Sequence, residues 1–393
     1  MFTDKNEYGY FFPMLMGRGC VANLGEKIKT YGCTKLLVMC DKTLRELGAV
    51  DKVINSLDAA GLTYVIWDGV VPDAAMSTIN ECAAIARNEK INGIVSVGGG
   101  SAMDSAKAID ILMGQPGNIE DHTSNTPNNH EKKPGVPMFM IPTTSGTGSE
   151  VTPVAVVSDD NHFKFGIWPS LATPRLAVLD PEMTVGMPPS LTAATGMDAF
   201  AHAAESFTSG LTNLLSDNLA EQAMRLIIKW LPLAVADGTN LDAREGMQMG
   251  QLISGLAFNN STTTIGHDIA HSLAYFHKVP HGEGCAFAIG ETLEYYADVV
   301  PERVKAIGEL FGLTFAPNAT SAEIGKATCA AISEFKRKIK VRKISDRGIT
   351  EADIKKIGSH YLTDNTGQFF SLKPMTEEAY VQVALAAYHN ENA

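Results

Sequence analysis

Five of the ten histidines in this 393-residue chain fall between His202 and His281. Their spacing suits metal chemistry. Asp198 and His202 stand four apart in LTAATGMDAFAHAAESF, a run of strong helix formers, so both side chains project from one helix face. His267 and His271 repeat the interval in GHDIAHSL, and His281 follows in Pro280-His281-Gly282, a turn able to aim its ring at the same point. A carboxylate with several imidazoles suits a divalent first-row cation such as Fe(II), Zn or Ni. One histidine alone reads as packing, whereas two i, i+4 pairs and a loop histidine read together as a shared metal site. His277 has no partner at useful spacing and reads as a surface or packing residue.

A second group of residues has the character of a phosphate site. The strand-like run NGIVSV leads into Gly98-Gly99-Gly100-Ser101 and then into the helical AMDSAKAIDIL. Glycines let a backbone approach a pyrophosphate, and the amides and dipole of the following helix start attract it. The spacing is not GxGxxG, and the alternative is a plain strand-to-helix turn. Thr143-Thr144-Ser145-Gly146-Thr147-Gly148-Ser149 follows PMFMI and offers many donors at a strand end, where nucleotides lie in open α/β sheets. Asp41 follows the strand KLLVMC. Its carboxylate suits the adenine ribose hydroxyls and repels a 2′-phosphate, or else it caps the next helix. Here the acid precedes the glycine turn, the reverse of the usual dinucleotide order.

The elements that must position these residues change character near Pro188. Before it, Lys35–Cys40, Thr63–Trp67 and Asn92–Val97 recur about thirty residues apart, with helix formers such as Ser77–Lys90 between them, the rhythm of βαβ units on a parallel sheet. Pro137–Ile141, Val154–Ser158 and Leu176–Leu179 read as further strands, and Asn118–Pro134 as a surface loop. After Pro188 the stripes Leu219, Ala223, Leu226, Ile227, Trp230 and Met249, Leu252, Ile253, Leu256 are helical. The expected organisation is an α/β dinucleotide-binding domain over 1–187 and an all-helical metal-binding domain over 188–393, with a cleft as the default place for a site.

Composition narrows the partners. A hydrophobic fraction of 45% supports large cores, and a net charge of -12 argues against nucleic acid or an anionic membrane. No run of eighteen apolar residues is present, and the opening MFTDKNEYGYFF lacks a signal-peptide pattern. Six scattered cysteines without a CxxC pair read as free thiols in a reducing cytoplasm.

Taken together, GGGSAMDSAK, PTTSGTGSEVT, LTAATGMDAFAHAAES, GLAFNN and GHDIAHSLAYFHKVPHG resemble the iron-dependent (group III) alcohol dehydrogenases, the family of lactaldehyde reductase and 1,3-propanediol dehydrogenase. The resemblance runs from Asp41 to Gly282 and implies the two-domain architecture shared with dehydroquinate synthase. It implies Asp198, His202, His267 and His281 as metal ligands, with His271 near the reacting end of the cofactor and not a ligand. It implies Gly98, Gly99, Gly100, Ser101 and Asp104 at the pyrophosphate turn and Thr143, Thr144 and Thr147 in the second loop. Lys164 would lie beside the cofactor, Asp41 would favour NAD over NADP, and Phe258 would wall the substrate pocket. A homodimer is the implied assembly. The chain departs from the family pattern at Ser261-Thr262-Thr263-Thr264, Asp268, Asp73, Val154 and Glu283-Gly284-Cys285, which leaves the ligand set intact.

The implied reaction moves a hydride between NAD(P) and a small alcohol or aldehyde, such as 1,3-propanediol, lactaldehyde or a short primary alcohol. Fe(II), or else Zn or Ni, would act as Lewis acid, and His271 would relay the alcohol proton. The competing readings are a non-redox NAD- and metal-dependent enzyme like dehydroquinate synthase, a metal-dependent hydrolase, and a non-catalytic binding protein.

Overall fold

The computed structural model of the chain describes residues 13–123, 126, 135–167, 173–360 and 370–392. It divides into two compact units, one of Gly9–Thr144 and Gly148–Met187, the other of Ser145–Thr147 and Pro188–Ala393.

The first unit is built on strands β1 (Met14–Met16), β2 (Lys35–Asp41), β3 (Thr63–Val70), β4 (Gly93–Gly98), β5 (Met138–Pro142) and β8 (Leu176–Leu179). They form one sheet in the order β1-β8-β5-β4-β2-β3, parallel throughout. β4, β5 and β8 are buried along their whole length, as expected of a parallel sheet covered on both faces. One face packs under α4 (Met76–Asn88) and α5 (Gly100–Gly114), the other under α1 (Leu24–Lys29) and α3 (Asp51–Ala59).

β2 pairs with β3 on one side and β4 on the other, so the winding direction reverses between β2 and β4. Open α/β sheets bind ligands outside the carboxyl ends of the strands at such a reversal. Asp41 and Gly98 are the last residues of these two strands. Because Gly98 stands in register with Pro142, the turn after β4 and the loop after β5 leave the sheet side by side.

Two features differ from the sequence expectations. The run Val154–Ser158 contains β6 (Ala155–Ser158), but this strand pairs antiparallel with β7 (Lys164–Ile167) in a separate two-stranded sheet. Neither β1 nor β7 carries a periodic signal, because at three and four residues they are too short to show one. In Asn118–Pro134, the stretch Ile119–His122 forms a 3₁₀ turn that buries Ile119 in the core; 124, 125 and 127–134 lie outside the described residues.

The second unit is helical among its described residues: α6 (Pro189–Phe207), α7 (Leu214–Ala236), α8 (Leu241–Phe258), α9 (Ile265–His277), α10 (His281–Tyr296), α11 (Pro301–Leu310), α12 (Ser321–Lys338), α13 (Glu351–Lys356) and α14 (Glu377–Asn392). α6 is its axis. From Thr192 to Phe207 only Thr195 escapes burial, and a helix buried all round must present small residues where neighbours approach. Ala193, Ala199, Ala203 and Ala204 serve that end, and a Cβ on Gly196 would lie 2.3 Å from Leu231 of α7. A second core joins α9 and α10 to α13 and α14 through Ile269, Leu273, Phe287, Ile354, Tyr380 and Ala384.

Candidate active site

α6, α9 and the first residue of α10 bring four side chains to one point. Asp198 Oδ1 lies 3.6 Å from His202 Nδ1, 3.7 Å from His267 Nε2 and 3.6 Å from His281 Nε2. These separations are long for hydrogen bonds. They match donors arrayed around one cation, since ligands at about 2.0–2.2 Å in a tetrahedron lie about 3.4 Å apart. Asp198 Oδ1, His202 Nδ1 and His267 Nε2 are buried and accept or donate no hydrogen bond. Three orphaned polar atoms around one focus would carry a large desolvation penalty without a further partner. The donor set and its burial therefore fit a divalent cation.

Local structure enforces the convergence. Asp198 and His202 occupy successive turns of α6. Pro280 caps α10, so His281 is its first residue, not part of a free turn. A Cβ on Gly282 would lie 2.5 Å from the Ala194 carbonyl oxygen, so glycine there lets α10 start directly against α6.

A partner missed in the sequence orients His267. Glu205 is fully buried. Its Oε1 lies 2.7 Å from His267 Nδ1, and its Oε2 accepts from the Thr264 amide at 2.6 Å and hydroxyl at 2.8 Å. A carboxylate on one ring nitrogen turns the other toward the metal and makes it more basic. Glu205 completes an i, i+4, i+7 stripe with Asp198 and His202, a polar line on an apolar helix that was visible in the sequence. The Thr264 departure from the family pattern also acquires a role, as N-cap residue of α9 and anchor of Glu205.

The electrostatics agree. Burial would raise the Asp198 carboxyl, but His202, His281 and His267 outweigh it and hold it below the usual carboxylate range. Burial pushes His202 down to about 4, against the pull of Asp198. Burial also opposes a charge on His267, yet Cys285, Glu205 and Asp198 together hold it well above the ordinary histidine value.

Phe258, at the end of α8, stacks on His202 with ring centroids 4.4 Å apart and planes 18° from parallel. His271 stacks on His281 at 5.2 Å and 29°, one helical turn beyond His267 and partly exposed. Cys285, also missed as a site residue, has Sγ 3.6 Å from His281 Nε2.

In the sheet unit the glycine turn and the threonine loop are tied together. The Thr143 amide donates to the Gly98 carbonyl at 3.0 Å. A Cβ on Gly98 would lie 2.6 Å from Ala102 Cβ, and one on Gly99 would lie 3.1 Å from Thr144 Oγ1. α5 starts at Gly100 with no side-chain cap, which suits its amides to an anion. Ser101 Oγ accepts from the Asp73 amide at 3.1 Å, and Lys164 Nζ lies 3.0 Å from Asp73 Oδ1. Asp73 and Ala74 both adopt positive φ, 62° and 51°, so this turn is held in a conformation L-residues seldom take.

Three of the expected site residues have further structural roles. Asp41 is the N-cap of a helix, α2 (Lys42–Glu46), and accepts from the Leu44 amide at 2.9 Å. Asp104 has both oxygens engaged by protein donors, Ser149 Oγ at 2.6 Å and the Val156 amide at 3.0 Å. Thr147 groups with the helical unit, as do Ser145 and Gly146, whose amide donates to Gln251 Oε1. The sequence did not single out Lys107. It is fully buried, donates to Ser149 Oγ at 2.6 Å, Thr152 Oγ1 at 3.3 Å and the Val154 carbonyl at 2.7 Å, and is pushed down to about 8 by burial.

Comparison with known proteins agrees with this geometry. Residues 13–181 match the family description "iron-containing alcohol dehydrogenase", and residues 192–388 match "Fe-containing alcohol dehydrogenase family, C-terminal". The chain is similar to 1,3-propanediol dehydrogenase of Klebsiella pneumoniae, with 36% identity over 93% of this chain and 94% of that protein. In structure it is similar to a 1,3-propanediol oxidoreductase, with a TM-score of 0.90 and 32% identity over 97% of this chain and 100% of the other. It is also similar to sulfoacetaldehyde reductase from Bifidobacterium kashiwanohense in complex with NAD+, with a TM-score of 0.86 and 27% identity over 98% and 99% of the two chains.

Proposed function

The chain belongs to the iron-containing alcohol dehydrogenase family and is a metal-dependent oxidoreductase of alcohols and aldehydes; from that premise we propose how its residues divide the work. Residues 1–187 form the dinucleotide-binding domain and 188–393 the metal-binding domain, with Ser145–Thr147 of the second loop grouping with the latter. Asp198, His202, His267 and His281 hold one divalent cation, with Fe(II) preferred over Zn or Ni. The observation that carries this is the set of three buried, unpartnered atoms on Asp198, His202 and His267. When bound, the cation acts as a Lewis acid on the alcohol oxygen and the nicotinamide takes the hydride.

The protein's own part is positioning and proton handling. Glu205 fixes the tautomer and direction of His267. His271 is held by its stack on His281 and relays the alcohol proton. Phe258 walls the substrate side of His202. Gly98, Gly99, Gly100 and Ser101 receive the pyrophosphate on the start of α5. Thr143, Thr144 and Thr147 bind the nicotinamide half, with Lys164 alongside. Asp104 and Lys107 brace the second loop through Ser149, which makes Asp104 a positioning residue for the cofactor. Asp41 favours NAD. The substrate is a small alcohol or diol, or the matching aldehyde. The non-redox and hydrolytic readings lose their support, because the relatives above are dehydrogenases and reductases. Six unpaired cysteines among the described residues support a reducing cytoplasm as the place of work, and a homodimer is the proposed assembly.

The test is anaerobic reduction of NAD+ with short alcohols and diols, comparing Fe(II)-loaded with Zn-loaded protein. Absorbance from NADH that depends on the added cation is expected; no NADH with any alcohol after loading would refute the reading.

A further inference from the structure

The donor atoms of Asp198, His267, His281 and Cys285 all lie within 4.8 Å of one another. Cys285 is fully buried and stands one turn after His281 on α10, on the same helix face. Its position is set by backbone packing: a Cβ on Gly284 would lie 2.9 Å from Ala270 Cα, so glycine lets α10 close onto α9 beside His267. Asp198 Oδ1 and His267 Nε2, both buried and without hydrogen-bond partners, point into the same group. Among the described residues, the other five cysteines belong to no such cluster.

We propose that Cys285 is a sulfur donor to the cation. Two donor sets then overlap, sharing Asp198, His267 and His281. One adds the His202 nitrogen and the other adds the Cys285 sulfur. The inference rests on the metal-centre reading above and extends it to metal choice. Thiolate is a softer ligand than imidazole or carboxylate, so the sulfur set favours first-row ions such as iron and zinc over the hard cations magnesium, calcium and manganese. On binding, the Cys285 S–H bond breaks, the proton leaves to solvent, and the sulfur lone pair forms the bond to the cation, with no change of oxidation state. A bound cation deprotonates a coordinating thiol outright.

Cobalt(II) loaded into the full-length protein reports sulfur ligation through a near-ultraviolet sulfur-to-cobalt charge-transfer band. We expect this band in the wild type at one cobalt per chain. We expect it to vanish in Cys285→Ser and Cys285→Ala, with cobalt still bound through Asp198 and the three imidazoles. Cobalt bound without the band, or a band that survives Cys285→Ser, overturns the sulfur donor and leaves the metal centre standing. No cobalt bound at all overturns both. If the variants fail to fold, X-ray absorption of the zinc-loaded wild type decides. A shell at about 2.3 Å is sulfur, whereas a single shell at about 2.0–2.1 Å is nitrogen and oxygen only and removes Cys285 from the site.

Discussion

The Lys107 network of the sheet unit and the Asp198 cluster of the helical unit both bury charge, but they treat it in opposite ways. Lys107 gives hydrogen bonds to Ser149, Thr152 and Val154, and Asp104 accepts on both oxygens. That charge finds its partners inside the chain and builds a scaffold for backbone amides. In the other region Asp198 Oδ1, His202 Nδ1 and His267 Nε2 find none, although Glu205 on the far side of His267 is fully bonded. A buried polar atom with internal partners serves the fold, whereas three left without them around one focus mark where a ligand belongs.

Removing a member of the unsatisfied set is the strongest way to break this contrast. Asp198→Ala should abolish retention of the cation and bring turnover to background, with folding retained because the cation-free cluster loses a charge that had no hydrogen bond at Oδ1. Elemental analysis beside circular dichroism checks it; full metal content in the variant would contradict the cluster. His271→Ala sharpens the same point. The cation should stay, while turnover falls about 10²–10⁴-fold, the usual worth of a general acid–base group. Unchanged turnover would remove His271 from the proton path.

Glu205→Gln has a smaller expected effect. It keeps the size of the side chain and an oxygen for His267 Nδ1, but loses the charge. Loss of such a partner costs about 10–100-fold in metal affinity, measurable by competition with a chelator. An affinity unchanged from wild type would make Glu205 a packing residue.

Lys107 gives the corresponding test in the satisfied region. Its folded-state value of about 8 lies below the ordinary lysine value of 10.5. Between the two, the unfolded chain carries a proton that the folded chain lacks, so this group makes stability rise with pH, by up to ~1.4 kcal/mol per pH unit. Below about pH 8 both states hold the proton and the slope vanishes. Buried thiols act oppositely in this window: Cys40 is pushed up to about 11 and Cys285 to about 12 by burial, so the unfolded chain loses their protons first. The difference in urea stability between wild type and Lys107→Met isolates the lysine. It should change across the window and be flat below it; a difference flat throughout would mean that Lys107 does not titrate there.

How far the sequence foretold these two regions follows from what each depends on. The ligand pairs at i, i+4 were legible because helix geometry alone places them on one face. The bracing by Lys107 was not, because its partners lie forty-two to forty-seven residues away and are ordinary hydroxyls and a carbonyl. Long buried strands such as β4 were legible from their apolar runs. β7 was not, because four residues with mixed burial carry no pattern. Cys285 read as one more buried thiol because His281 was expected in a turn; with α10 starting at His281, Cys285 stands one turn along the same helix face.

Asp41 lies between the two kinds of residue, and its substitution should have the smallest effect. As the N-cap of α2 it is already bonded to the Leu44 amide, so it belongs to the satisfied class. As a carboxylate ending β2 at the winding reversal, it also has a charge to present to a ligand. Asp41→Ser separates the roles. Serine caps a helix about as well as aspartate, so melting should change little, while the repulsion of a 2′-phosphate disappears. With unit charges a few ångströms apart at a solvated surface, that repulsion is on the order of 1–4 kcal/mol. The ratio of NADP to NAD affinity should therefore rise by about fivefold or more, read by fluorescence titration. A ratio that stays put in a variant of unchanged stability would make Asp41 a helix cap alone, and would leave cofactor preference to residues beyond the end of β2.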